Sequence, residues 1–119
     1  PLDAETLLKG KLPEYKAFAK YVYYLCTGEN LNEEKKISEK KFFIGTFGKQ
    51  AIYLIYKQDY EALTRMALNL ELAEEIIADQ PDKKRIVYAP ACFLDEEYME
   101  ANQIEFVSIP YNLFQRKSS

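Results

Sequence analysis

The chain has 119 residues, 48% of them apolar and 14% aromatic, and carries a formal net charge of −3 with no histidine. This is the material of one ordinary domain with a substantial core rather than of a disordered chain. The acidic balance gives no electrostatic footprint for autonomous DNA or RNA binding, and the missing histidine excludes Ser-His-Asp, Cys-His and His-ligated metal sites.

Asp3 can cap a short helix over residues 4–8 that ends at Gly10, with Lys9 set against its C-terminal dipole. Pro13 opens a clearer helix running to Thr27, in which Tyr15, Phe18, Ala19, Val22, Leu25 and Cys26 recur at three- and four-residue steps and share one face. Gly28 ends it. Lys16, Lys20 and Tyr24 fall on the opposite side of that wheel, so Tyr24 is the aromatic least expected in the core. It reads either as a surface tyrosine lying over Lys20 or as a contact with another domain or chain. Glu29 to Lys41 is a charged loop in which Lys35, Lys36, Lys40 and Lys41 are interleaved with glutamates, the pattern of a solvated face rather than a phosphate track.

Two strands follow, Phe42 to Phe47 and Ala51 to Tyr56, separated by Gly48-Lys49-Gln50, a connection of hairpin length. The second has no polar alternation, as expected of a strand covered on both faces. Asp59 to Leu68 is weakly helical, and Asn69 is a good N-cap for a firmer helix over Leu70 to Asp79. Pro81-Asp82 turns the chain into a strand over Arg85 to Ala89, closed by Pro90, and a last strand over Ile104 to Ile109 is closed by Pro110. Between them Leu94 to Ala101 is helical, acidic in its first turn and ended by Asn102, a residue that tolerates the left-handed cap. Connections of a dozen or more residues suit parallel crossovers, right-handed by the general rule. The expected fold is therefore α/β: N-terminal helices, a β-hairpin and two βαβ crossovers around a mixed sheet of about four strands. It forms a single domain, with residues 1–38 as helical lead-in, 41–111 as sheet and crossover helices, and a frayed tail from Gln115.

Catalytic patterns are sparse. The four glycines, at 10, 28, 45 and 48, form neither GxGxxG nor GxxxxGK. Glu14-Tyr15-Lys16 is the nearest thing to a nuclease pattern, but it lies on the amphipathic helix. Asp95, Glu96, Glu97 and Glu100 point in different directions around a helix and compensate its dipole rather than converge on a metal. Cys26 and Cys92 lack CxxC spacing and read as reduced core thiols of a cytoplasmic protein. Cys92 follows a strand end, where α/β folds bind ligands, but has no base near it in sequence to make it a nucleophile. No apolar run approaches the ~20 residues of a bilayer span, and no signal-peptide pattern opens the chain. Pro1-Leu2-Asp3 lacks an initiator methionine, so the chain reads as the C-terminal piece of a longer polypeptide.

The helix segment Ala19-Lys20-Tyr21-Val22-Tyr23-Tyr24-Leu25-Cys26-Thr27-Gly28-Glu29, the strands Ala51-Ile52-Tyr53-Leu54-Ile55-Tyr56 and Arg85-Ile86-Val87-Tyr88-Ala89, and the ending Ile104-Glu105-Phe106-Val107-Ser108-Ile109-Pro110-Tyr111 together resemble the C-terminal region of adenine-specific DNA methyltransferases of the type III restriction-modification kind, the Mod subunits. The resemblance covers about residues 15–111 and rests on structural rather than catalytic motifs. That family transfers a methyl group from S-adenosylmethionine to adenine, using an Asp-Pro-Pro-Tyr motif for the base and a Phe-x-Gly-x-Gly motif for the cofactor. Neither occurs here, so no catalytic, cofactor-binding or metal residue can be carried over. The resemblance implies an accessory domain, catalytically silent by itself, within a parent enzyme that uses S-adenosylmethionine. Its implied partners are the parent's catalytic domain and a second methyltransferase or a restriction subunit, with DNA reached only through the parent. Tyr24, Lys20 and Lys16 are the expected interface residues. The competing readings are a free-standing α/β interaction or regulatory domain and a degenerate nuclease-like fold that binds nucleic acid.

Overall fold

The computed structural model describes residues 12–109. The helix expected over 4–8 with its flanking residues, and everything from Pro110 onward, lie outside the described residues. Helix α1 (Tyr15–Thr27) is followed by a 3₁₀ turn at Glu34–Lys36, strands β1 (Phe43–Phe47) and β2 (Gln50–Leu54), and the short helix α2 (Tyr60–Leu63). Then come α3 (Leu70–Asp79), β3 (Lys84–Ala89), α4 (Glu96–Ala101) and β4 (Ile104–Ser108). The four strands form one sheet in the order β1-β2-β3-β4. The first pair is antiparallel and the other two are parallel, giving the expected mixed α/β sheet.

Local chemistry explains most of the boundaries. The Asp59 side chain accepts the Glu61 and Ala62 amides, Asn69 accepts the Leu72 amide at 2.9 Å, and Asp95 accepts the Tyr98 amide at 2.7 Å. Each side chain satisfies backbone donors that a helix start leaves open. The hairpin turn is two residues long, with Gly48 at φ 60, and a positive φ at the first position is what a type II′ turn requires. Leu68, after α2, and Cys92, just past β3, form an isolated parallel bridge, carried by Leu68 N–H to the Ala91 carbonyl and Phe93 N–H to the Leu68 carbonyl.

Strand alternation divides the core into two layers. Ile52, Leu54 and Tyr56 face α1 with Ile44, and pack on Tyr15, Phe18, Ala19, Val22 and Tyr23. Ala51, Tyr53 and Ile55 face the other way with Val87, Ala89 and Ile104, under Ala73 and Ile76 of α3 and the flank of α4. Every residue from Ala51 to Tyr56 is buried, so this run is covered on both faces as its composition predicts. Both crossover helices lie on one face because the two crossovers step the same way across the sheet.

Two local expectations need correction. Leu25 is 54% exposed and Tyr23 is buried in its place, because Tyr23 reaches β1 and its hydroxyl donates to the Thr46 carbonyl at 2.9 Å. After α4 the left-handed residue is Gln103, at φ 53, while Asn102 keeps φ −108 and its side-chain amide donates to the Tyr98 carbonyl. The charged segment 29–41 is the expected loop, mostly exposed, and carries a 3₁₀ turn, a Ser38–Phe43 bridge and a 2.6 Å Lys36–Glu33 ion pair.

Candidate functional site

Most of the buried polar groups hold the fold together. Arg85 is 4% exposed, and its guanidinium donates to the carbonyls of Gln80 and Pro81, at 3.0 and 3.1 Å, just past the end of α3. It also donates to the Asn102 carbonyl at the end of α4, so one cation ties two helix C-termini to the sheet. Its Nε is buried without a partner. In sequence Arg85 is only the first residue of a strand; an arginine fused to the apolar run Ile86-Val87-Tyr88-Ala89 is the signal available. The tyrosines are similarly engaged: Tyr15 donates to the Leu54 carbonyl at 2.7 Å, Tyr56 to the Pro13 carbonyl at 2.6 Å, and Tyr53 to the Asp79 carboxylate at 2.8 Å. Burial raises the phenol of each above its ordinary value, so all three stay protonated donors.

Among the described residues no group of three or more potential ligands is placed to hold a metal ion. Asp95 is spent as a cap, and Glu96 and Glu97 stand in the first turn of α4. Cys92 is half-buried, with its sulfur 3.8 Å from Met99 Sδ and 3.9 Å from the Leu94 carbonyl. Cys26 is half-buried as well, and burial raises its thiol. Both cysteines are therefore less enclosed than the core thiols expected from sequence. Gly45 lies within β1, where an added Cβ would come within 3.1 Å of Leu31 and 3.2 Å of Tyr23. Its small size serves packing within the strand.

Lys16, Lys20 and Tyr24 form one stripe at four-residue spacing on the outer side of α1. Tyr24 is 52% exposed. Lys20 forms an ion pair with Glu34 that ties α1 to the 3₁₀ turn, and the Lys20 ammonium holds the Glu34 carboxyl below its ordinary range, with Lys16 adding to the effect. Lys20 is thus partly engaged within the domain. Beside Tyr24, Leu25 adds a second exposed large side chain, on a position that the apolar spacing assigns to the core face. It lies on the flank of α1 away from Tyr23. The outer side of α1 thus carries one exposed aromatic and one exposed aliphatic side chain beside Lys16 and Lys20.

No helix among the described residues is long and apolar enough to cross a membrane. No protein-family model, curated protein or solved structure matches the chain.

Proposed function

We propose that the chain is an accessory, non-catalytic domain of a site-specific DNA adenine methyltransferase of the type III restriction-modification kind. It acts by packing on the parent's catalytic domain and by supporting assembly with a second methyltransferase subunit or a restriction subunit. One observation supports a docking role above the others: Tyr24 and Leu25 stand more than half exposed side by side on a well-packed helix, whereas the buried tyrosines and Arg85 are engaged within the fold. Exposed aromatic and aliphatic groups with charges at the margin suit an interface core with a polar rim. The link to methylation rests on the resemblance of the helix, strand and C-terminal motifs. S-adenosylmethionine and the target adenine belong to the catalytic domain of the parent, and this domain reaches DNA only through it, in the cytoplasm.

The test is to replace Tyr24 and Lys20 by alanine in the full-length enzyme and, separately, in the isolated chain. The proposal expects weaker subunit association and lower methyl transfer in the enzyme, with the melting temperature of the isolated chain unchanged. Unchanged association with a destabilised isolated chain would instead place this helix face in the core.

A further inference from the structure

Between the turn over residues 38–42 and helix α3 lies a cavity of about 480 Å³. Phe42, Leu72 and Ile76 give it an apolar lining, and Tyr53 closes it toward the sheet. A volume of several hundred cubic ångströms with apolar walls and a few polar groups is the usual make-up of a small-molecule site. The wall itself is irregular: Phe42 has φ 58, a left-handed conformation that bulky side chains rarely adopt. It is pinned there by the Leu54 amide, which donates to the Phe42 carbonyl at 2.7 Å. Immediately after it, the pairing of β1 with β2 slips register between Phe43 and Gly45. Backbone strain of this kind gathers at ligand clamps.

Four charged residues line the cavity, Lys40 and Lys41 on the turn and Glu75 and Asp79 on the helix. Two of them are already engaged. Asp79 accepts the Tyr53 hydroxyl on one carboxylate oxygen and faces Lys41 Nζ at 3.4 Å with the other. Among the described residues Lys40 and Glu75 make no ion pair, which leaves one cation on one wall and one carboxylate on the other.

We propose that this cavity binds a small zwitterion with an apolar body, the chemical class of the apolar α-amino acids. The ammonium pairs with Glu75, the carboxylate with Lys40, and the side chain lies against Phe42, Leu72 and Ile76. A ligand of single charge leaves one of the two groups uncompensated and meets a like charge on the facing wall. The assignment rests on this cavity alone and is independent of the docking role proposed above.

The test is an amide NMR titration of the 119-residue chain with L-phenylalanine, and in parallel with phenethylamine and hydrocinnamate, which each keep one of its two charges. The proposal expects saturable shifts at Phe42 and Ile76 with L-phenylalanine, and roughly tenfold weaker binding of either analogue. Lys40→Ala and Glu75→Ala, both at exposed positions, should each weaken L-phenylalanine about tenfold without lowering the melting temperature, while the exposed Lys35→Ala leaves it unchanged. No saturable shift below roughly 10 mM, equal affinity for the analogues, or wild-type affinity in both wall variants would overturn it.

Discussion

The two faces of the sheet are sealed in different ways. Beneath α1 the buried long-range polar ties are neutral: the hydroxyls of Tyr15, Tyr23 and Tyr56 each donate to a backbone carbonyl 23 to 43 residues away in sequence, and the Lys20–Glu34 ion pair lies on the outer side of the helix. On the face of α3 and α4 the ties are ionic, with Arg85 capping two helix ends and Asp79 held between Tyr53 and Lys41. The reason lies in what each face must terminate. Helix α1 ends at Gly28, which has φ 77 and whose amide closes back on the Tyr24 carbonyl. Helices α3 and α4 have no basic residue in their last turns and end against the sheet, so their carbonyls need a donor from outside the helix. A buried arginine supplies several donors at once, and a tyrosine supplies one.

Removing the ionic tie should have the largest effect. Arg85→Met should cost about 3 kcal/mol in denaturant unfolding, because the carbonyls of Gln80, Pro81 and Asn102 lose a charged donor in the interior. Arg85→Lys should recover only part of it, since one ammonium cannot fork to two helix ends. An Arg85→Met protein as stable as the wild type would mean that the helix ends find other donors and that the contrast between the faces is only formal.

Alkaline titration gives the next effect and draws on both faces. Burial raises the phenols of Tyr15, Tyr53 and Tyr56 above the ordinary tyrosine value of about 10, with the Asp79 contact adding to the effect at Tyr53. A raised phenol contributes stability that is fully present below the unfolded pKa and is lost as pH rises through the folded one. Above pH 10 each withheld ionisation should therefore lower stability by about 1.4 kcal/mol per pH unit. Phenolate absorbance should appear for these three only together with loss of the circular-dichroism signal. Independent, gradual ionisation of all the tyrosines in the folded protein would contradict the burial of these rings.

Single hydroxyl deletions should separate the faces more finely. Tyr56→Phe should cost about 1 to 2 kcal/mol by leaving a buried carbonyl unpaired, and Tyr53→Phe about 0.5 to 1 kcal/mol because Lys41 still faces Asp79. The reverse order would show that the Asp79 network outweighs the neutral ties. Smallest of all, Tyr24→Ala should change the stability of the isolated chain by no more than about 0.5 kcal/mol, as expected for an exposed side chain outside the core. A larger loss would move Tyr24 from a docking surface to a structural role.

Much of this architecture was legible in the sequence because its signals are local. Three- and four-residue apolar spacing defines α1, the unbroken apolar run at 51–56 marks a strand covered on both faces, and Asn69 sits one residue before α3. The Lys16–Lys20–Tyr24 stripe follows from the same spacing, so its exposed side could be read before any tertiary contact was known. A helical wheel has soft edges, however. Leu25 and Tyr23 lie on opposite flanks of the stripe, and only the position of β1 under one flank decided that Tyr23 is buried and Leu25 exposed.

The sequence by itself determined the order and type of the elements, because hydrophobic periodicity and helix caps act over a few residues. Tertiary structure alone decided which polar groups became structural. Tyr53 and Asp79 meet across 26 residues, Arg85 reaches carbonyls at the ends of two helices, and Phe42 keeps a left-handed φ with its carbonyl held by the Leu54 amide. Such partners are set by how helices dock on the sheet, and the distance between them along the chain carries no local pattern that a sequence could display.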